Sequence, residues 1–310
     1  GLAQSTLQSI ATVLLGADVR TLNLQALPIG AARSYDGFEC ALADAYARSH
    51  DLPLYRLLGG SYRETVSCAF WTGHRTVADA ARKAREAVEN GFGAIKFKCE
   101  LNDPVVEWCQ TIFDECGTKL SVILDPNERF VQSSHVERIA RQGAAIGNIL
   151  YIEDPIPRWD YESWAHLRSK SQVPLSMHIS LPYAEMGQME HDAARAARAL
   201  ATDYFNFNGG IYAYRRLAAL ADLFGMSYSH GSEIDFGVLE ASYVHKSASV
   251  AGNRLPSDIF GRLIREHDLL REPLKIVKGE VSVPQGPGLG VELDMDAVRH
   301  YGISHWEVEG

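Results

Sequence analysis

Ala94-Ile95-Lys96-Phe97-Lys98 decides how this chain is read: an apolar run of strand length that ends in two lysines one residue apart. Alternation along a strand puts Lys96 and Lys98 on the same face. In a parallel barrel both ammonium groups stand at the carboxyl end of that strand, where the sites of such barrels lie. One lysine then serves as a base and the other as its electrostatic partner.

Outward from this run, short apolar stretches alternate with amphipathic helical ones from about Thr65. Val66 to Trp71 comes first, and a helix from Thr76 to about Asn90 follows, stopped by Gly91. After Lys98 come Ser121 to Leu124, Ile149 to Ile152, Val173 to Met177, Tyr204 to Phe207 and Met226 to Tyr228. Strand alternating with helix predicts an α/β fold with a parallel sheet and right-handed crossovers. The polar residues that end the runs are Lys98, Asp125, Glu153, His178, Asn206 and His230, spaced by 27, 28, 25, 28 and 24 residues, with Asp258 another 28 on. Counting Phe70 to Thr72 as the end of a first strand gives eight units, the strand count of a (β/α)8 barrel. The units share no residues, so the period is structural rather than a sequence repeat.

The flanks read differently. Leu7, Ile10, Leu14 and Leu15 lie at helical spacing before Gly16, and Phe38, Ala41, Leu42 and Tyr46 repeat the pattern. Pro53 to Gly60 ends in a double-glycine stop. The expected division is residues 1–64 as a helical remainder of an N-terminal unit, 65–283 as the barrel, and 284–310 as a segment returning to the N-terminal unit.

With 310 residues, 46% of them hydrophobic and 22% charged, the chain can bury a large core. Its net charge of -9 argues against phosphate-backbone binding, leaving small solutes as partners. Five cysteines form no CxxC pair and no even framework, so reduced thiols in a cytoplasmic enzyme are expected. No apolar run has membrane-spanning length and no signal peptide opens the chain. It begins at Gly1 without Met, which suggests that its natural start is missing.

Seven polar strand ends converging on one barrel mouth favour a site over seven solvated loop residues. Asp125, before Pro126 and Asn127, and Glu153, before Asp154 and Pro155, place carboxylates on neighbouring strands, spaced to hold a hard divalent cation. Asn127 supports them. Capping the next helix is the competing role for each.

These pieces resemble a known family. Gly91 to Lys98, the Asp125-Pro126-Asn127 turn, Ile152 to Pro155 and the closing Val283 to Asp294 together look like the enolase superfamily, within the mandelate racemase and muconate lactonizing group. Ala41 to Asp44 and Pro53 to Gly60 add to the likeness, which covers nearly the whole chain. The resemblance implies a modified TIM barrel with an α+β capping domain, here partial because its N-terminal strands are missing. It implies Mg2+ held by three acidic residues and abstraction of the proton next to a substrate carboxylate. Carried over, Lys98 is the base, and Lys96 lowers its pKa while contacting the carboxylate. Asp125 and Glu153 match two metal ligands, and His230 resembles the base or acid of the opposite face. A nascent dianion of this kind needs strong electrostatic stabilisation, which a cation and a lysine supply.

Three departures stand out. The fifth-strand carboxylate is absent: Ile179 falls at its place, and adjacent His178 is the candidate ligand, with substrate contact or a turn cap as its alternatives. The sixth-strand aspartate is replaced by Asn206 and Asn208, so His230 lacks a carboxylate partner, which turns the expectation from racemisation to dehydration. No strands of the capping sheet precede Gly1, so the fragment is expected to be truncated or those residues to be disordered and left out, with the chief determinants of specificity out of view.

Asp258 is a further candidate for substrate contact, Trp71 reads as barrel wall, and Gly209-Gly210 reads as a tight turn or an anion site. Glu233 and Asp235 are candidate stand-ins for the absent carboxylates. The expected function is a Mg2+-dependent lyase, an acid-sugar dehydratase, with racemase, epimerase or cycloisomerase chemistry as alternatives within the class. A lysine Schiff-base aldolase and a non-catalytic binding protein are alternatives of other classes. The expected partners are a small carboxylate substrate and other copies of the chain in a homo-oligomer.

Overall fold

The computed structural model describes residues 4–29, 35–180, 188–232, 234–304 and 308. Its strands are β1 (Thr65–Ser67), β2 (Phe70–Thr72), β3 (Ala94–Lys98), β4 (Ser121–Asp125), β5 (Ile149–Glu153), β6 (Leu175–Ile179), β7 (Tyr204–Phe207), β8 (Ser227–His230), β9 (Ile276–Val277) and β10 (Glu280–Ser282). Strands β2 to β8 pair in parallel, in chain order, as one curled sheet. Each is followed by a helix, among them Val77–Glu89, Val105–Cys116, Ser133–Ile146 and Ile211–Leu223. Thr76 starts the first of these by accepting from the Asp79 amide at 3.2 Å, a side-chain N-cap.

Only seven strands form the barrel sheet among the described residues, where the spacing suggested eight. The eighth unit closes the ring through single bridges, Tyr228 to Asn253 and Cys68 to Ser257. Asp258 donates its amide to His230 O at 2.8 Å, and Ser257 donates to Ser67 O at 2.8 Å. The run Val66 to Trp71 divides between two sheets, because β1 turns away to pair antiparallel with β10, which pairs with β9. Strand β6 starts at Leu175 rather than Val173, since Pro174 has no N–H to donate and only its carbonyl joins the ladder, to Ile152.

Alternation sorts the core. Ile95, Phe97, Val122, Leu124, Leu175, Met177, Phe205, Phe207 and Tyr228 face outward into the main core under the helices. Phe97 stacks there on Trp108 at 5.1 Å. Inside the ring, Ala69, Ala94, Ile123 and Tyr151 form a separate buried layer that plugs the barrel below its mouth. Lys96, Asp125 and Glu153 stand on top of this plug.

The N-terminal helices dock on the outside. Cys40, Ala43, Ala47, Leu54 and Leu58 pack with Ile211, Ala241 and Leu289. The Glu39 carboxylate accepts from the amides of Ile211 at 2.5 Å and Tyr212 at 3.4 Å, answering the open N–H groups at the start of Ile211–Leu223. Gly91, at φ +77°, lies where a Cβ would come 2.7 Å from the Lys278 backbone. All five cysteines are free and buried. No helix among the described residues is long and apolar enough to cross a membrane.

Candidate active site

At the carboxyl end of the barrel, a pocket of about 280 Å³ is lined by Trp71, Lys98, Asn127, Arg129, Arg158, His178, Ser180, Ser232, Ile234, Asp258 and Phe260. Trp71 stacks on Phe260 at 5.1 Å, making one apolar wall. Beneath the pocket lies a buried ionic cluster. The Lys96 ammonium donates to Glu153 Oε1 at 2.9 Å, Glu153 Oε2 at 3.0 Å and Asp258 Oδ2 at 2.8 Å, and is 3.2 Å from Asp125 Oδ2. Lys98 donates to Asp125 Oδ2 at 2.5 Å.

The pairing register produces this cluster. Lys98 lies directly opposite Asp125, Lys96 opposite Ile123, and Leu124 opposite Ile152, so Asp125 and Glu153 end neighbouring strands at one level. Burial disfavours the Lys96 ammonium, but Asp258, Glu153 and Asp125 outweigh it and hold its pKa well above the ordinary value. Burial likewise opposes the Asp125 carboxylate, and Lys98 and Lys96 outweigh it, so its pKa falls below the carboxylate range. Glu153 goes the other way: its burial dominates, opposed by Lys96, and pushes it up to about 8.

The sequence suggested two facing ammoniums, with Lys96 lowering the pKa of Lys98. The structure places the Asp125 carboxylate in contact with both, so the group nearest Lys98 is an anion rather than a cation. Lys96 is 1% exposed and does not line the pocket.

His178, on β6, faces inward, and Ile179, at the position expected for the missing carboxylate, packs outward in the main core. The backbone of His178 is clamped on both sides: its amide donates to Asp154 Oδ1 at 2.9 Å, and its carbonyl accepts from Arg158 Nη1 at 3.1 Å. Its ring Nε2 meets Asn208 Oδ1 at 2.9 Å, and its Nδ1 is 3.6 Å from Glu153 Oε1. Burial, aided by Arg158 and Lys96, lowers the pKa of His178 to about 3. Asn206 donates to Glu153 Oε2 at 3.0 Å, while its buried Oδ1 has no partner among the described residues. Asn127 donates its amide to Asp125 Oδ1 at 3.2 Å in a local turn.

His230 lies on the other side of the barrel wall. Phe207 pairs with His230 and Asn206 with Ser229, so Ser229 faces inward and His230 outward. The ring is fully buried between Tyr214 and Tyr243, at centroid distances of 4.6 and 3.9 Å, with Nδ1 2.6 Å from Gly231 O. It does not line the pocket. The expected role for His230 as an acid or base on the far face is therefore not available in this arrangement. Glu233 lies outside the described residues, and Asp235 pairs with Tyr243 near the rim.

Sequence reading passed over Asp154 and Arg158. Asp154 follows Glu153 directly, and a second carboxylate beside the first was the available signal. Its Oδ2 is 3.0 Å from Arg158 Nε, an ion pair that answers this buried oxygen. Glu153, Asp154 and His178 bring one donor atom each within 4.8 Å of one another, a spread suited to one cation. Asp125, the other ligand expected from sequence, shares the Lys96 ammonium with Glu153. Two carboxylates with an imidazole whose second nitrogen is already held fit a divalent cation.

A parallel barrel with a paired lysine, buried carboxylates and a polar pocket at its carboxyl end defines an enzyme of the TIM-barrel class. A model of the Enolase C-terminal domain-like family matches residues 79–297. The chain belongs to the enolase superfamily, in its mandelate racemase and muconate lactonizing group. It is 30% identical to muconate cycloisomerase 1 of Rhodococcus opacus over 268 residues, which cover 84% of this chain and 70% of that one. D-xylonate dehydratase of Haloferax volcanii is 26% identical, over 85% of this chain and 68% of that one. Among solved structures, 2-chloromuconate cycloisomerase from Rhodococcus opacus superposes with a TM-score of 0.83 at 26% identity, covering 96% of this chain and 81% of that one.

Proposed function

We propose that the chain is a cycloisomerase-type enzyme that moves one proton to or from the carbon next to a substrate carboxylate, with Lys98 as the proton carrier. The observation that carries this reading is that Lys98 lines the pocket while His230 is turned away behind the barrel wall. Racemisation needs proton carriers on both faces, and dehydration needs an acid for the departing hydroxide. Ring closure of an unsaturated dicarboxylate forms one C–O and one C–H bond, so a single carrier suffices.

Lys98, ion-paired to Asp125, holds the proton that such a closure delivers. Asp125 orients the ammonium, and Lys96 fixes Asp125, Glu153 and Asp258 beneath it. Arg129 and Arg158 add cationic groups to the pocket wall, where carboxylates of the substrate bind. Trp71 and Phe260 offer an apolar face to the carbon chain. Glu153, Asp154 and His178 would hold a divalent cation, which would supply charge stabilisation to a substrate carboxylate.

The test is a panel of unsaturated dicarboxylates, run in D2O. The product is expected to carry one deuteron on one face of the carbon next to the carboxylate. Lys98→Ala is expected to lower the rate about 10²- to 10⁴-fold, the usual contribution of a positioned acid or base. Undiminished turnover by folded Lys98→Ala, or loss of water from the substrate, would overturn the reading.

A further inference from the structure

The helix Gly237–Ala248 packs behind β8 and carries a lysine that the proposed chemistry does not use. Lys246 is 2% exposed, and its ammonium lies over the rings of Tyr243 at 4.7 Å and Tyr214 at 5.4 Å. It donates to Gly209 O at 2.7 Å. A buried ammonium persists only where anions answer it. Three carboxylates act on this one: Asp36 and Glu39 from the helix Tyr35–Ser49, and Asp235 from the rim after β8, with the Cys40 thiol on the first of these elements. Burial lowers the pKa of Lys246, and Asp36 and Glu39 are the chief groups opposing the fall.

Both sides of this contact reach the pocket. Glu39 accepts from the amides of Ile211 and Tyr212, and a Cβ on Gly210 would fall 1.9 Å from Glu39 Oε2 and 3.0 Å from Asp36 Oδ1. The two acids therefore press on the Gly209–Gly210 turn that Lys246 grips by its carbonyl. One residue back, Asn208 Oδ1 meets Nε2 of the pocket residue His178 at 2.9 Å. One helical turn before Lys246, the Tyr243 hydroxyl donates to Asp235 Oδ2, which also accepts from Ser232 Oγ at 3.4 Å. Ser232 Oγ in turn accepts from the Ile234 amide at 3.0 Å. Ser232 and Ile234 line the pocket, and Ile234 has φ +67°, a left-handed value that strains a β-branched residue. Such strain lasts only while surrounding contacts enforce it.

We propose that Lys246 is a positioning residue for the pocket: it locks the helix Tyr35–Ser49 to the Asn208–Gly210 turn and to the rim residues Ser232, Ile234 and Asp235, so that docking of this helix sets the pocket wall on β7 and β8. The ammonium lets three carboxylates from two elements lie buried close together. Without it they repel one another, and the helix and Asp235 draw apart.

The test reads amide hydrogen exchange by NMR at pH 8, corrected for intrinsic rates, in the wild type, Lys246→Met, Lys246→Met/Asp36→Asn and Tyr243→Phe. Lys246→Met is expected to lower protection at least about tenfold in the helix Tyr35–Ser49 and at the hydrogen-bonded Asn208 and Gly231 amides, while β3 to β5 keep theirs. Asp36→Asn removes a charge but keeps an acceptor for the Gly210 amide, so the double variant is expected to recover most of the protection. A lost packing contact would show no such rescue. Tyr243→Phe is expected to loosen Gly231 and leave the helix Tyr35–Ser49 at its wild-type protection. In the dicarboxylate turnover proposed above, on which this arm alone rests, Lys246→Met is expected to raise KM about tenfold with kcat within about threefold, since Lys98 and Asp125 stand on β3 and β4. Wild-type protection at Asn208 and Gly231 in Lys246→Met, loosening or unfolding that Asp36→Asn does not reverse, or a fall in kcat at unchanged KM would overturn the proposal. A wild type without turnover would count against the proposed function alone, because the exchange readings need no substrate.

Discussion

Replacing Lys96 with methionine keeps the length of the side chain and deletes the charge from the most crowded ionic contact in the barrel. The ammonium is 1% exposed and lies between 2.8 and 3.2 Å from oxygens of Asp258, Glu153 and Asp125. Each such pair is worth about 4 kcal/mol or more in gross attraction at an effective dielectric of about 20, most of it offset by desolvation of the ions. Removing one partner leaves the desolvated anions uncompensated, and the net loss is about 3–5 kcal/mol. The pH dependence gives the origin away. In the wild type the folded pKa of Lys96 is raised, so its contribution is complete below the unfolded value of 10.5 and is lost only as pH rises through the still higher folded one. Across about pH 5 to 8 that term is flat. In Lys96→Met the Glu153 carboxylate loses its counter-ion, its already raised folded pKa rises further, and stability falls as pH rises through that value. Urea denaturation at several pH values should therefore show a loss of about 3–5 kcal/mol near pH 8 that shrinks on acidification. A loss under about 1 kcal/mol at pH 8, or one that grows on acidification, would refute the reasoning.

Two other substitutions separate structure from catalysis. Burial pushes Glu39 from 4.5 up to about 7, against the amide of Ile211, so its contribution is complete below 4.5 and is lost as pH rises through about 7. That is about 3 kcal/mol at 1.36 kcal/mol per pKa unit, and Glu39→Gln should remove this share of the slope, read as the difference between the two denaturation curves. His230→Ala opens a cavity between Tyr214 and Tyr243 and is expected to cost about 2–4 kcal/mol while leaving the rate per folded molecule unchanged. A drop in that rate with stability intact would return His230 to the active site.

The barrel was legible because two independent signals agreed. Apolar runs alternated with helices, and the polar residues after those runs recurred at one β/α unit, so Lys98, Asp125 and Glu153 fell at strand ends that the structure places at one level. Where the reading slipped, the cause was local. Pro174 delayed the ladder of β6, Cys68 and Ala69 crossed between two sheets, and the eighth unit closed by bridges rather than a strand. None of these changes hydrophobic periodicity, so none was visible in it.

The site demanded more than strand ends, because a strand end does not say which face a side chain takes. In Met226-Ser227-Tyr228-Ser229-His230 the large side chains alternate with serines, and the large ones belong to the face that packs on helices. That parity sends His230 outward with Tyr228 and leaves Ser229 and Gly231 for the interior. The same rule applied to Leu175-Ser176-Met177-His178-Ile179 puts Leu175, Met177 and Ile179 in the core and turns His178 to the pocket. Parity thus exchanges the parts of the two histidines: the one on β8 becomes a packed ring between tyrosines, and the one on β6 meets Glu153. What parity cannot give is the distance between charges. Two lysines on one face suggested mutual repulsion, and only the register that sets Asp125 opposite Lys98 shows a carboxylate holding both. The layout of the pocket follows from that register, which sets the Lys98 ammonium against an anion, and from the parity that turns the His178 imidazole toward Glu153.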